Sequence, residues 1–389
     1  MIPDTTAISA ELTDPIRLIT FIGGILGGIF AIIFGLFTVI PKIKQWWTTN
    51  RDRQSLRKRL GAELYTAEDI KNATQYYIKP NCQDVDPAQE EEIRLVHGVQ
   101  ADLFENVDKL LSNPDKYKYL ILLADSGMGK TSFVLNYYAR HWRHSRRRRK
   151  FNLTLVPLGI KNADSQIEKI KDRSNTVLFL DAFDEDTLAI KDHRERLGRL
   201  LSLSEGFRQV LITSRTQFFL REEEIPRETG IIKVSVTAAG ESHEHQFYKL
   251  YLSPFSDEQV EKYLKRRFPL LRRKQCRLAR NMVQKIPLLT VRPMILAHIQ
   301  DLVQSGKTIN FAFQLYEEMV EAWLERERPF VKNKDDLRRF SEDLAIDLYL
   351  KREQRGSERV HYTELETIAQ TFGIRLQAWQ MRGRSLLNR

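Results

Sequence analysis

The chain has 389 residues, of which 42% are hydrophobic and 29% charged, a composition that belongs to a folded protein and excludes a disordered one. Its formal net charge of +11 points to an anionic partner, either nucleic acid or an anionic membrane. Two cysteines, Cys82 and Cys276, lie far apart without metal-ligand spacing, which excludes a disulfide framework and fits a reducing compartment. The eight histidines form no H-x-x-x-H or His/Cys cluster, so no protein-built metal site is expected.

In chain order, residues 1–17 are read as a short extracytoplasmic N-terminus. Leu18 to Ile40 carries no charge, and its length of about 23 residues is enough to span a bilayer. Asp4, Glu11 and Asp14 precede this run, with only Arg17 as a basic residue. Lys42, Lys44, Arg51, Arg53, Arg57, Lys58 and Arg59 follow it, with Trp46-Trp47 where an interfacial belt belongs. A signal peptide has the opposite charge order. The expectation is a single-pass membrane protein, N-terminus outside, with everything after Pro41 cytoplasmic. Gly23/Gly27 and Gly24/Gly28 are G-x-x-x-G pairs, which let membrane helices approach closely and self-associate.

Residues 41–115 read as a charged helical connector, broken at Pro80-Asn81 and Asp86-Pro87. Residues 116–255 read as a nucleotide-binding domain. Tyr119 begins an apolar strand, followed by Ala124, Asp125, Ser126, Gly127, Met128, Gly129, Lys130, Thr131 and Ser132. That order makes a phosphate-binding loop: glycines bring the backbone close and Lys130 reaches the β- and γ-phosphates. Thr131 ligates Mg²⁺. Ala124 stands where the usual pattern has its first glycine.

Downstream, Val177 to Leu180 has the composition of a buried parallel strand ending in Asp181, with Asp184 and Glu185 just beyond. Asp181 is placed to hold Mg²⁺ through its water shell, and Asp184 or Glu185 to polarise an attacking water. The bland alternative is a helix N-cap followed by first-turn acids. A further strand, Gln209 to Thr213, ends in Ser214-Arg215, and Arg215 there can sense a terminal phosphate. The basic run Arg146 to Lys150 is read first as a solvated loop, second as a lipid contact. Nucleic acid comes last, because no aromatic interleaving or helix-turn-helix signal supports base readout. Alternating helices and strands imply a parallel sheet covered on both faces, with ligands at the strands' carboxyl ends.

From Ser256 the pattern turns helical, with an N-cap and following acids at Ser256-Asp-Glu-Gln. Residues 256–310 form a helical domain in this reading and residues 311–389 an incomplete winged-helix-like region. Pro293 opens one of the helices.

Taken together, these residues resemble the NACHT family of STAND NTPases. Leu178 to Glu185 carries the more specific part, an apolar strand, Asp181, the small Ala182, the apolar Phe183 and two acids. Thr213-Ser-Arg215 looks like the family's sensor, and Leu252-Ser-Pro-Phe-Ser256 like its entry into the helical domain. The resemblance covers roughly Asp115 to the C-terminus. It implies an α/β P-loop NTPase sheet followed by an all-α region, a slow Mg²⁺-dependent ATPase acting as a switch. ADP holds it closed and ATP opens it to oligomerise. It implies Pro293 against the adenine, catalytic roles for Lys130, Asp184, Glu185 and Arg215, and a part in defence against a stimulus such as phage. The family's later histidine has no match and no sensing region follows, so a separate sensor protein is one expectation. An AAA-like remodelling ATPase and a non-hydrolysing membrane scaffold are the competing readings.

Overall fold

The computed structural model describes residues 40, 43–83, 101–145, 147, 149–216, 231–238, 241–268, 272–285, 291–304, 312–329, 331, 333–351, 354, 364–376 and 381. The expected membrane span, apart from Ile40, and its glycine pairs lie outside them, as do Arg146, Arg148 and the chain's last eight residues. Among the described residues no helix is long and apolar enough to cross a membrane.

The chain forms two compact units, Met1–Ser55 and Leu56–Arg389. In the first, residues 43–55 are helical, and Trp46 and Trp47 stand exposed with their rings edge to face, 5.5 Å apart.

In the second unit, helical residues 56–64 lead into α1 (Ala67–Thr74). A capping box fixes that start, with Asp69 N donating to Thr66 Oγ1 at 3.1 Å and Thr66 N donating to Asp69 Oδ2 at 2.9 Å. Short β1 (Asn81–Gln83) and β2 (Ala101–Asp102) follow, then α2 (Leu103–Leu111), β3 (Tyr119–Leu123) and α3 (Lys130–Arg143). Next come β4 (Asn152–Pro157), α4 (Ala163–Glu168), β5 (Thr176–Asp181), a 3-10 turn (Phe183–Glu185), α5 (Thr187–Lys191), α6 (His193–Leu203) and β6 (Gln209–Ser214). The hairpin β7 (Ile231–Ala238) and β8 (Glu241–Leu252) ends the sheet region.

The sheet runs β2-β1-β8-β3-β6-β5-β4, with β7 paired to β8. Neighbours from β8 to β4 are parallel, whereas β1/β2, β1/β8 and β7/β8 are antiparallel. The sheet is therefore mixed, a parallel centre with antiparallel additions on the β8 side, where the sequence implied parallel strands alone. All positions of β3, β5 and β6 are buried, as continuous apolar runs at the centre of a covered sheet require. The two-residue alternation sorts β3 between two cores. Leu120 and Leu122 join Phe133 and Tyr137 of α3, while Ile121 and Leu123 join Leu197 and Leu200 of α6.

Leu56, Leu60, Tyr65, Ile70 and Ala73 belong to the same core as α3. The charged sequence of this stretch thus carries one buried apolar face. Arg149 of the basic run stacks on Trp142, its guanidinium carbon 4.0 Å from the ring centre, with Arg59 at 4.1 Å, so this member of the run packs on an aromatic ring instead of standing in solvent.

The helical region starts at α7 (Asp257–Arg267), where Ser256 and Gln259 form the expected cap. It continues through α8 (Arg273–Lys285) and α9 (Pro293–Gln304), which share a core of Val260, Leu264, Met282, Leu296 and Ile299. Then follow α10 (Ala312–Glu327), α11 (Lys334–Leu350) and α12 (Leu365–Thr371), packed through Trp323, Leu337, Phe340 and Ile368.

Candidate nucleotide site

Three strand ends converge at the carboxyl edge of the sheet. β3 delivers the loop 124–129, β5 ends in Asp181, and β6 leads to Arg215. Because β6 lies between β3 and β5, Arg215 emerges between the phosphate loop and the acidic strand.

Within the loop, Gly127 has φ +77 and Gly129 φ +96, the left-handed region that an L side chain resists. Ala124 does not have a positive φ, so alanine fits where the usual pattern has glycine; its N–H donates to Ser214 O at 3.2 Å. Asp125 and Met128 are buried, while Ser126, Thr131 and Ser132 are half-buried. Gly129 caps α3 without a side-chain bond, which leaves the first N–H groups of the helix suited to an anion. Lys130 Nζ turns back over the loop and donates to Ala124 O at 2.8 Å and Asp125 O at 3.1 Å. Burial lowers its pKa, against the charges of Asp184, Asp125 and Asp181.

Asp181 is only 1% exposed. Thr213 Oγ1 donates to its Oδ1 at 2.6 Å and Tyr65 OH donates to its Oδ2 at 3.1 Å, with the Thr131 side chain near enough to favour its charge. Burial raises the Asp181 pKa, and these hydroxyls and Lys130 pull it back. Ala182 then adopts φ 61, ψ 56, a left-handed conformation rare for a non-glycine residue and least costly for a small one. Its N–H donates to Thr213 Oγ1 at 2.9 Å, so one threonine hydroxyl ties Asp181 to the turn behind it.

That turn brings Asp184 onto Arg215. Arg215 N donates to Asp184 Oδ1 at 3.1 Å and its Nε pairs with Oδ2 at 2.7 Å. From α10, Glu327, 1% exposed, reaches Arg215 Nη2 at 3.4 Å. Burial opposes the Arg215 charge, but Asp184, Glu327 and Glu185 together raise its pKa. Glu185 stands beside Gly159, whose added Cβ would sit 3.6 Å from the Glu185 Cβ.

The helical region closes on the loop. Pro293 opens α9, Met294 N donates to Gly127 O at 3.1 Å, and Arg292 pairs with Asp125 at 3.6 Å. A Cβ at Gly127 would lie 2.9 Å from Met294 Cβ. Gly127→Ala is therefore expected to push α9 off the loop and weaken nucleotide binding by about tenfold or more, combining left-handed strain with the clash. Equilibrium titration with fluorescent ADP reads this directly, and an unchanged affinity would show that the contact with Met294 is dispensable.

Every residue the sequence singled out for phosphate, Mg²⁺ or catalysis lies at this edge, and Pro293 joins it through its neighbours. The sequence pattern did not single out Tyr65, Arg292 or Glu327, because none lies in a motif. Thr213 sat inside one, and a polar residue ending an apolar strand was its only signal. The donor set fits a magnesium nucleotide: a glycine cradle, a buried lysine amine turned into it, and a threonine hydroxyl beside a buried carboxylate.

Fold and site together define an α/β protein with a P-loop-like phosphate-binding loop. A scan against family models finds no match, and a search of curated proteins finds none. Among solved structures, the chain is similar to the RuvB Holliday junction branch migration motor of Thermotoga maritima, at 15% identity over 72% of this chain and 84% of that one, with a TM-score of 0.34. A Walker-type ATPase of Pyrococcus abyssi matches at 12% identity, covering 72% and 91%, with a TM-score of 0.38. A chain of Drosophila ORC bound to DNA matches at 15%, covering 70% and 74%, with a TM-score of 0.34. At these values the likenesses add nothing to what the site's own geometry states about function.

Proposed function

We propose that this chain is a membrane-anchored, ATP-dependent switch of the NACHT-like STAND type, which binds ADP and ATP with Mg²⁺, hydrolyses ATP slowly and oligomerises in the ATP state. The observation that carries this reading is the double hold of the helical region on the site. Met294 N grips the phosphate loop at Gly127 O, and Glu327 grips Arg215. A nucleotide that changes either contact changes how well the helical region stays closed. ATP and ADP then favour different states, and that difference is the physical requirement of a switch.

Mg²⁺-ATP supplies a transferable γ-phosphoryl group and the charge that organises it. In this reading Lys130 and the N–H groups of the loop bind the phosphates. Thr131 and Asp181 would hold Mg²⁺. Asp184 meets Arg215 through both oxygens, and Asp184 or Glu185 would accept a proton from the attacking water. Arg215 meets the terminal phosphate when it leaves Glu327.

Glu185→Gln is the test of hydrolysis within this scheme. It is expected to slow single-turnover ATP hydrolysis by about 10²–10⁴-fold while leaving ATP affinity unchanged, and to lengthen the life of the ATP-bound assembly. Equal lifetimes in the two proteins would make the chain a nucleotide-bound scaffold.

A further inference from the structure

The acid that ends β5 is held by hydroxyls from two parts of the chain, Thr213 from β6 and Tyr65 from the turn between helical residues 56–64 and α1. The second lies outside the nucleotide-binding motifs. Tyr65 is 6% exposed, and its hydroxyl donates to Asp181 Oδ2 at 3.1 Å while Thr213 Oγ1 occupies Oδ1. Two donors, one on each oxygen, fix the plane of the carboxylate.

The segment that carries Tyr65 is itself seated on the phosphate-loop helix. Asn136 of α3 donates through Nδ2 to Ala73 O of α1 at 2.9 Å and to Ser132 O at 2.7 Å. Leu56, Leu60, Ile70 and Ala73 lie in the core shared with α3. A displacement of residues 56–74 therefore carries the tyrosine hydroxyl with it, and a displacement of Asp181 is felt in that segment.

We propose that Tyr65 is a positioning residue for the magnesium centre, and that through it residues 56–74 are coupled to metal occupancy at Asp181. The inference rests on the Mg²⁺-nucleotide reading of the site. A carboxylate that receives metal-bound water must present its oxygens in one orientation, and outer hydrogen bonds of this kind commonly set metal affinity. Tyr65 supplies that orientation from outside the loop, and ties it to the segment nearest the chain's N-terminal unit in sequence.

The test compares wild type and Tyr65→Phe in the full chain, with fluorescent ADP titrated in EDTA and then across a range of Mg²⁺ concentrations. The variant keeps the ring and loses only the hydroxyl. The expected result is unchanged ADP affinity in EDTA and a Mg²⁺ requirement raised about 10-fold or more. Hydrogen exchange supplies a second readout: adding Mg²⁺ to the ADP complex protects α1 amides in wild type and not in the variant. An unchanged Mg²⁺ requirement overturns the inference. A parallel loss of affinity with and without Mg²⁺ assigns Tyr65 to packing alone and also overturns it. If wild type binds no ADP in either condition, the nucleotide reading itself fails, and the inference falls with it.

Discussion

Lys130→Ala is expected to lower the affinity for both ATP and ADP by about 100-fold or more. The amine is the cation that this site turns into the loop, bonded at 2.8 and 3.1 Å to Ala124 O and Asp125 O. A hydrogen bond from a charged group is worth roughly 1.5–3 kcal/mol, and 1.4 kcal/mol is tenfold in affinity. Engaging two phosphates takes the loss to at least two decades. The fold should survive, because the amine's hydrogen bonds run to loop carbonyls. Calorimetric titration measures the affinity, and a thermal melt without nucleotide checks the fold. A variant that binds nucleotide like wild type would remove the phosphate loop from the account.

The second large effect concerns Arg215. Its guanidinium lies between the buried carboxylates of Asp184 and Glu327, at 2.7 and 3.4 Å. Arg215→Leu leaves both acids buried without it, and removing one partner of such a group costs about 3–5 kcal/mol. Denaturant unfolding of the second unit should show a loss of that size. Adding Glu327→Leu to the same chain should restore part of it, because one of the two buried acids is gone. Glu327→Gln alone should have a different signature: a modest stability loss, with α10 released from Arg215 and ATP-type assembly appearing in ADP. If the double variant is no more stable than Arg215→Leu, the Glu327 contact contributes nothing to closure.

The site's legibility in the sequence follows from locality. Gly127, Gly129, Lys130 and Thr131 act through backbone conformation and spacing within one turn, so their pattern is written contiguously. Asp181 and Arg215 were readable because each closes an apolar strand, and parallel strands end on the same edge. The helix α7 was readable from its Ser256 cap, and α9 from its opening proline. β1 and β2 were not, being three and two residues long, with pairing fixed by partners far along the chain. The same holds for Tyr65 and Glu327. A lone tyrosine among charged helical residues and a lone glutamate at a helix end have no local signal. Only tertiary packing brings them to Asp181 and Arg215. The apolar face of residues 56–73 was obscured by Arg57, Lys58 and Arg59, whose charges cover one side of a helix that buries Leu56 and Leu60 on the other.

A nucleotide switch is tested most directly by the oligomeric state of the full chain in lipid nanodiscs with Mg²⁺-ADP and with Mg²⁺-ATP, using Glu185→Gln to hold the ATP. Single copies are expected with ADP and defined assemblies with ATP, together with unequal affinities for the two nucleotides. The same oligomeric state and equal affinity in both would contradict it, since a nucleotide that binds two states alike cannot move the balance between them.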